Sequence, residues 1–178
     1  MKKDILKNII CIPEANKQKR FLLGKRGKSI LLAVGLNPST ADENKLDPTS
    51  RNIETIAKLN GCDGWLLINL YPLRTSNPKN LPKRVNSKLA YENEAFIISL
   101  IQNTGFNIKK ILFCWGNYLE KRPYLKKQSL NIMNLLENER QIIYCLGKTR
   151  LGNPFHPSPM VINRFLEGLG ELKLKKMY

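Results

Sequence analysis

One histidine occurs in this chain of 178 residues, His156, within the run Gly152-Asn153-Pro154-Phe155-His156-Pro157-Ser158-Pro159-Met160. Prolines on either side fix φ and stiffen the backbone, so the imidazole is presented rigidly. A neutral imidazole held in that way can donate a hydrogen bond to a developing oxyanion; a structural histidine is the alternative. Two carboxamides stand in comparable settings. Asn37 lies in Gly35-Leu36-Asn37-Pro38-Ser39, where glycine allows a sharp turn and proline rigidifies it. Its side chain both donates and accepts, which suits orienting a water; a plain Asn-Pro turn is the other reading. Asn69 ends an apolar run in Ile68-Asn69-Leu70-Tyr71-Pro72, where a polar side chain must find partners or face a ligand. A carboxamide offers NH₂ and C=O together and so matches the edge of a pyrimidine, although loop capping accounts for Asn69 equally well.

Other chemistries fall away. A single histidine excludes any site that needs two imidazoles. Cys11, Cys62, Cys114 and Cys145 form no C-x-x-C pair and read as core thiols, so no metal and no cofactor is expected. Gly24-Lys25-Arg26-Gly27-Lys28-Ser29 resembles the tail of a phosphate-binding loop, but Leu22 stands where its first glycine belongs and the run precedes a strand instead of following one. Proline in the middle of Asn37-Pro38-Ser39 rules out N-glycosylation, and there is no G-x-S-x-G elbow for a serine hydrolase.

Residues so far apart can meet only if the intervening elements bring them together. Ser29–Gly35, Trp65–Leu70, Ile111–Trp115 and Gln141–Leu146 are near-continuous apolar runs that read as buried strands. Asp47-Pro48-Thr49 opens a helix with Asp47 as N-cap and Pro48 at its first position, Ile53, Ile56 and Ala57 on its inner face, and Gly61 closing it. Leu89, Phe96, Ile97, Leu100 and Ile101 recur at helical spacing. A Lys-rich helical region runs to about Asn138, and a last helix starts near Met160. This alternation predicts an α/β domain of three layers, α/β/α, on a central four-stranded, mostly parallel sheet. Ligands in such folds bind beyond the carboxyl ends of the strands. The whole chain, 1–178, is expected to form one domain, with a basic lead-in over 1–28, a core over 29–168 and a basic tail over 169–178.

Thirty Lys and Arg against fourteen Asp and Glu leave a net charge of +16. Acidic residues stay scarce while lysine is abundant, which points to a polyanionic partner; biased composition and solubilisation are the bland account. No apolar stretch is long enough to span a membrane, and the start lacks a secretory h-region. The expectation is a cytoplasmic protein.

Taken together, these segments resemble the uracil-DNA glycosylase superfamily over roughly residues 29–165. Gly35–Pro38 matches its Gly-x-Asn-Pro motif after the first strand. His156-Pro157-Ser158-Pro159-Met160 matches its His-Pro-Ser-Pro-Leu motif, and Asn69 matches the strand-end Asn that reads uracil. Asn69–Arg74 looks like the Asn-x-x-x-C-R-P region of the thermostable branches, and Leu112–Gly116 is similar to the Leu-Leu-Trp-Gly strand. A second resemblance, over Gly35–Arg51 and the Asn-Leu-Tyr-Pro-Leu-Arg segment, is to a bacterial and phage family without assigned function. That family usually has His-Pro-Leu-Tyr where this chain has His-Pro-Ser-Pro.

The first resemblance implies a glycosylase-like fold and an N-glycosidase acting on uracil or a related lesion in single- or double-stranded DNA, as a monomer and without cofactor or metal. It assigns catalysis to Asn37 and His156. Gly35, Leu36, Pro38, Ser39, Asn69, Tyr71, Ser158 and Met160 would contact substrate, with Met160 in the place of the intercalating leucine. Lysines and arginines would hold phosphates, and on the nucleotide alternative Arg51, Arg74 and Arg150 would grip one. Clustered cysteines of the iron–sulfur branches are missing, and Asn37-Pro38-Ser39 supplies neither the aspartate nor the tyrosine of the fastest enzymes, so slower hydrolysis is implied. The alternatives are a non-catalytic nucleic-acid-binding protein on the same fold, and a nucleoside or nucleotide hydrolase.

Overall fold

Side chains of the run Ile30–Gly35 alternate between two cores. Ile30, Leu32 and Val34 join one apolar cluster, while Leu31 and Ala33 join another, the period-two signature of a strand covered on both faces. The computed structural model describes residues 9–102, 105–139, 141–170 and 172–177. Within them lie strands β1 (Ile9–Ile12), β2 (Leu22–Lys25), β3 (Ile30–Gly35), β4 (Gly64–Asn69), β5 (Ile108–Phe113), β6 (Ile143–Cys145) and β7 (Lys175–Lys176). Helices are α1 (Pro48–Leu59), α2 (Ser87–Gln102), α3 (Pro123–Asn138) and α4 (Pro159–Phe165).

The fold is α/β. Strand order is β1-β2-β4-β3-β5-β6-β7, with β4, β3, β5 and β6 mutually parallel. Ile53, Ile56 and Ala57 of α1 pack on the Leu31 face; Ile97 and Leu100 of α2, with Leu125, Ile132 and Leu136 of α3, pack on the Leu32 face. From β3 the chain crosses through α1 to β4 on one side, whereas from β5 it crosses through α3 to β6 on the other. Strand order therefore reverses between β3 and β5, which opens a crevice at their carboxyl ends.

The sheet is seven-stranded and mixed, which corrects the four-stranded expectation. β1 and β2 form an antiparallel hairpin that pairs with β4 through β2, and both come from the stretch read as a lead-in. β7, from the tail, pairs antiparallel with β6. These strands have four or two residues, too short to carry a period of their own, so only their partners reveal them. Gly24 belongs to this packing: a β-carbon there would collide with the carbonyl of Trp65 on β4, which explains a glycine in the run that imitates a phosphate loop. Of the lead-in and the tail, residues 1–8, 171 and 178 lie outside the described residues. Among those described, no helix is long and apolar enough to cross a membrane.

Candidate active site

Where β3 and β4 end, their parallel ladder continues into the loops. Leu70 N–H donates to Gly35 O (2.9 Å), Tyr71 N–H to Leu36 O (3.1 Å) and Thr75 N–H to Pro38 O (2.8 Å). Asn37 completes the lacing, since its Nδ2 donates to Thr75 O at 2.8 Å and to Pro38 O at 2.9 Å. Both amide protons are thereby committed to the loops. Only Oδ1 remains for a ligand, so this position offers an acceptor and not the donor–acceptor pair expected of it.

Asn69 stands opposite Gly35 in the ladder. A β-carbon at residue 35 would lie 2.8 Å from Asn69 Oδ1, so the carboxamide occupies the space that glycine leaves. Asn69 is 2% exposed, and its Nδ2 is buried without a partner, an orphaned donor of the kind that bound ligands satisfy. Asn93 on α2 steadies this strand end, its Nδ2 donating to Asn69 O at 3.0 Å.

The histidine loop is tied down from several sides. Gly116 N–H after β5 donates to Pro154 O (3.0 Å), and Phe155 N–H donates to Gly147 O after β6 (2.9 Å). Asn52 on α1 donates from Nδ2 to Pro157 O at 2.8 Å, and the Phe155 ring stacks on Phe165 with centroids 5.5 Å apart. His156 is half-buried. Burial pushes its pKa below the ordinary 6.5, with the Asp47 carboxylate pulling the other way, so the imidazole is a neutral hydrogen-bond donor at physiological pH.

Asn37, Asn69 and His156 all line one cavity of about 380 Å³ at the carboxyl ends of the strands, a size within the roughly 300–1,000 Å³ of small-ligand sites. Gly35, Leu36 and Ser39 line it too, as do Asp47, Pro48 and Thr49 at the start of α1. A neighbouring basin of about 460 Å³ contains Lys17, Asp42, Glu43 and Arg74, and shares Ser39, Thr40, Thr75 and Ser76 with the first. Cys114 also borders the smaller cavity, but burial raises its thiol to about 12, which keeps it protonated and unreactive. Among the described residues, no cluster of His, Cys, Asp and Glu could hold a metal ion.

The other residues singled out in the sequence are more scattered. Pro38 is buried and serves the loops through its carbonyl. Tyr71 does not line the cavity: it lies in the opposite core, edge-on to Tyr124 at 5.1 Å, with its hydroxyl accepting from Asn86 N–H. Ser158 caps α4 by accepting from Val161 N–H at 3.4 Å. Met160 follows on the first turn of α4, 68% exposed, beside the cavity-lining Pro159. Arg51 is exposed and donates to Leu46 O. Arg74 donates to the carbonyls of Ser39 and Ala41 and borders the neighbouring basin. Arg150 is exposed on the turn after β6 and lines neither cavity.

Of the lining residues not foreseen as part of a site, Arg20 is the cation. Arg20 lies between β1 and β2, on a segment that runs alongside the loop after β4: Arg20 N–H donates to Pro72 O (2.9 Å), and Arg74 N–H to Gln18 O (2.8 Å). Its side chain is 1% exposed and lines the cavity of Asn69 and His156. Removal from water, with Arg74 nearby, lowers its pKa to about 10 against the pull of Asp47; the guanidinium stays charged. Among thirty Lys and Arg, nothing local marks this one, because its burial comes from the hairpin.

No curated protein and no solved structure matches this chain. A family match begins at Arg20 and ends at Ser158, and so takes in every residue that lines the cavity of Asn37, Asn69 and His156 except Pro159. By that match over residues 20–158, the chain belongs to DUF1643, a family of proteins of unknown function.

Proposed function

We propose that the protein is an N-glycosidase that releases uracil or a related base from DNA, on a fold akin to that of the uracil-DNA glycosylases. The observation that supports this reading is the shared cavity of Asn37, Asn69 and His156 at the strand ends. The target nucleotide is flipped out of the stack to reach it. The orphaned Nδ2 of Asn69 donates to a pyrimidine carbonyl and its Oδ1 accepts from the ring N–H. Asn37 Oδ1 accepts from a water and aims it at the sugar carbon. The glycosidic bond breaks with its electron pair leaving on the pyrimidine, while His156 donates to the carbonyl oxygen where negative charge collects. Water adds to the sugar carbon and its proton passes to solvent, since a carboxamide cannot hold it. Met160, exposed beside the mouth, wedges into the vacated stack. Exposed Arg51 and Arg150 contact phosphates.

Single-turnover release of base from uracil-containing single- and double-stranded oligonucleotides tests the reading. His156→Ala should slow release by about 10²–10³-fold, the loss typical of one oxyanion donor. Equal rates in the two proteins would remove His156 from the chemistry. A second reading, nucleic-acid binding without cleavage, is favoured by the commitment of the Asn37 amide protons to its own loops and by the absence of a carboxylate at that position. Oligonucleotide binding with no base released from any lesion would establish it.

A further inference from the structure

Arg20 is a buried cation that the proposed reaction does not use. It is 1% exposed; Nη1 donates to Ala41 O, and Nε is buried without a partner. Among the described residues no carboxylate reaches it at ion-pair distance. The largest electrostatic influence after desolvation is repulsive, from Arg74, whose own Nε is also buried and unpartnered. Asp47 and Asp42 exert a weaker opposing pull, and Asp47 Oδ1 is occupied by Ser50 N–H and Ser50 Oγ, each at 2.8 Å. Burying a charge without a partner is unfavourable, and a bound anion is what would relieve it. The first turn of α1 lines the same cavity through Pro48 and Thr49, so the positive end of a twelve-residue helix adds to the field there.

We propose that this cavity contains a phosphate subsite built on Arg20, so that its occupant is a nucleotide unit and not a bare base. The inference rests on reading the cavity as a nucleobase site and adds the group bound beside the base. The phosphate comes either from a terminal monoester or from the diester of a nucleic-acid strand; an arginine fork serves both.

Thermal unfolding of the full chain in inorganic phosphate, against chloride at matched ionic strength, measures the subsite. The wild-type protein should show a saturable rise in Tm with phosphate. Arg20→Met should lose that rise, with phosphate affinity weakened about ten- to hundredfold. Its Tm in chloride should not fall, because a well-packed apolar side chain replaces an unpaired charge. Should that variant not fold, Arg20→Lys, which keeps the charge without the fork, should bind phosphate more weakly than wild type. Arg20-dependent binding of deoxyuridine 5′-monophosphate identifies the monoester as the source; Arg20-dependent binding of an oligonucleotide lacking terminal phosphates identifies the diester. No phosphate-specific rise in wild type, or an equal rise in Arg20→Met, overturns the subsite. Base release that persists under either of those results leaves the glycosidase standing without the subsite. An Arg20-dependent phosphate rise with no base released from any oligonucleotide does the reverse.

Discussion

A carboxamide that occupies the space beside a glycine is sensitive to a single methyl group. In Gly35→Ala the new carbon would sit 2.8 Å from Asn69 Oδ1, too close for either to stay, and Asn69 is the freer partner. Overpacking of this kind costs about 1–3 kcal/mol, measurable as a lower denaturant midpoint. Base release should fall to the level of Asn69→Ala, and the double variant should be no worse than either single one, since both act through the same side chain. His156 gives a prediction in pH. Folding depresses its pKa below 6.5, so the unfolded chain binds a proton that the folded one refuses. Stability should therefore decline as pH falls below about 6.5 and be indifferent to this group above it. The acid limb of kcat/KM should lie below 6.5 and vanish in His156→Ala; a limb above 6.5 would contradict a neutral imidazole donor. His156, Asn37 and Asn69 were visible in the sequence because proline, glycine and strand ends mark them locally. That the Asn37 amide protons turn inward was not visible, because Thr75 O, their partner, is set by the packing of two loops.

Elements decide how firmly these residues are held. The histidine loop is fixed by bonds from the ends of β5 and β6 and from Asn52 on α1. Asn52→Ala removes one such bond, worth about 0.5–1.5 kcal/mol, and frees the carbonyl that follows His156. Global stability should change by no more than that, while base release should fall by more than tenfold if the imidazole must be held in place; rates that track stability alone would make the bond merely structural. α1 was legible from its cap: Asp47 Oδ1 accepts from Ser50 N–H at 2.8 Å, as the Asp-Pro-Thr-Ser order predicts. The β1–β2 hairpin was not, and it carries Arg20. Its strands of four residues have no periodicity to read, and their conformation comes from pairing with each other and, through β2, with β4.

At the scale of the whole molecule, a net charge of +16 makes salt the sharpest probe of the partner. If the ligand is a nucleic-acid strand, log K for a single-stranded oligonucleotide should fall with log salt at a slope of about −3 or steeper, as four or more phosphates at about −0.7 each require. Fluorescence anisotropy across a salt series measures it, and a flat profile would exclude a strand as the partner. The amino-acid order alone was enough for the α/β class, the four parallel strands, the capped helix and the strand-end segments that line the cavity, because apolar period and capping are properties of neighbouring residues. Tertiary structure alone settled the edges of the sheet, the turning of Tyr71 into the far core, the orphaned donor of Asn69 and the burial of Arg20 in the same cavity. Each of these depends on which distant backbone lies across a few ångströms of space, and no stretch of sequence contains its own partner.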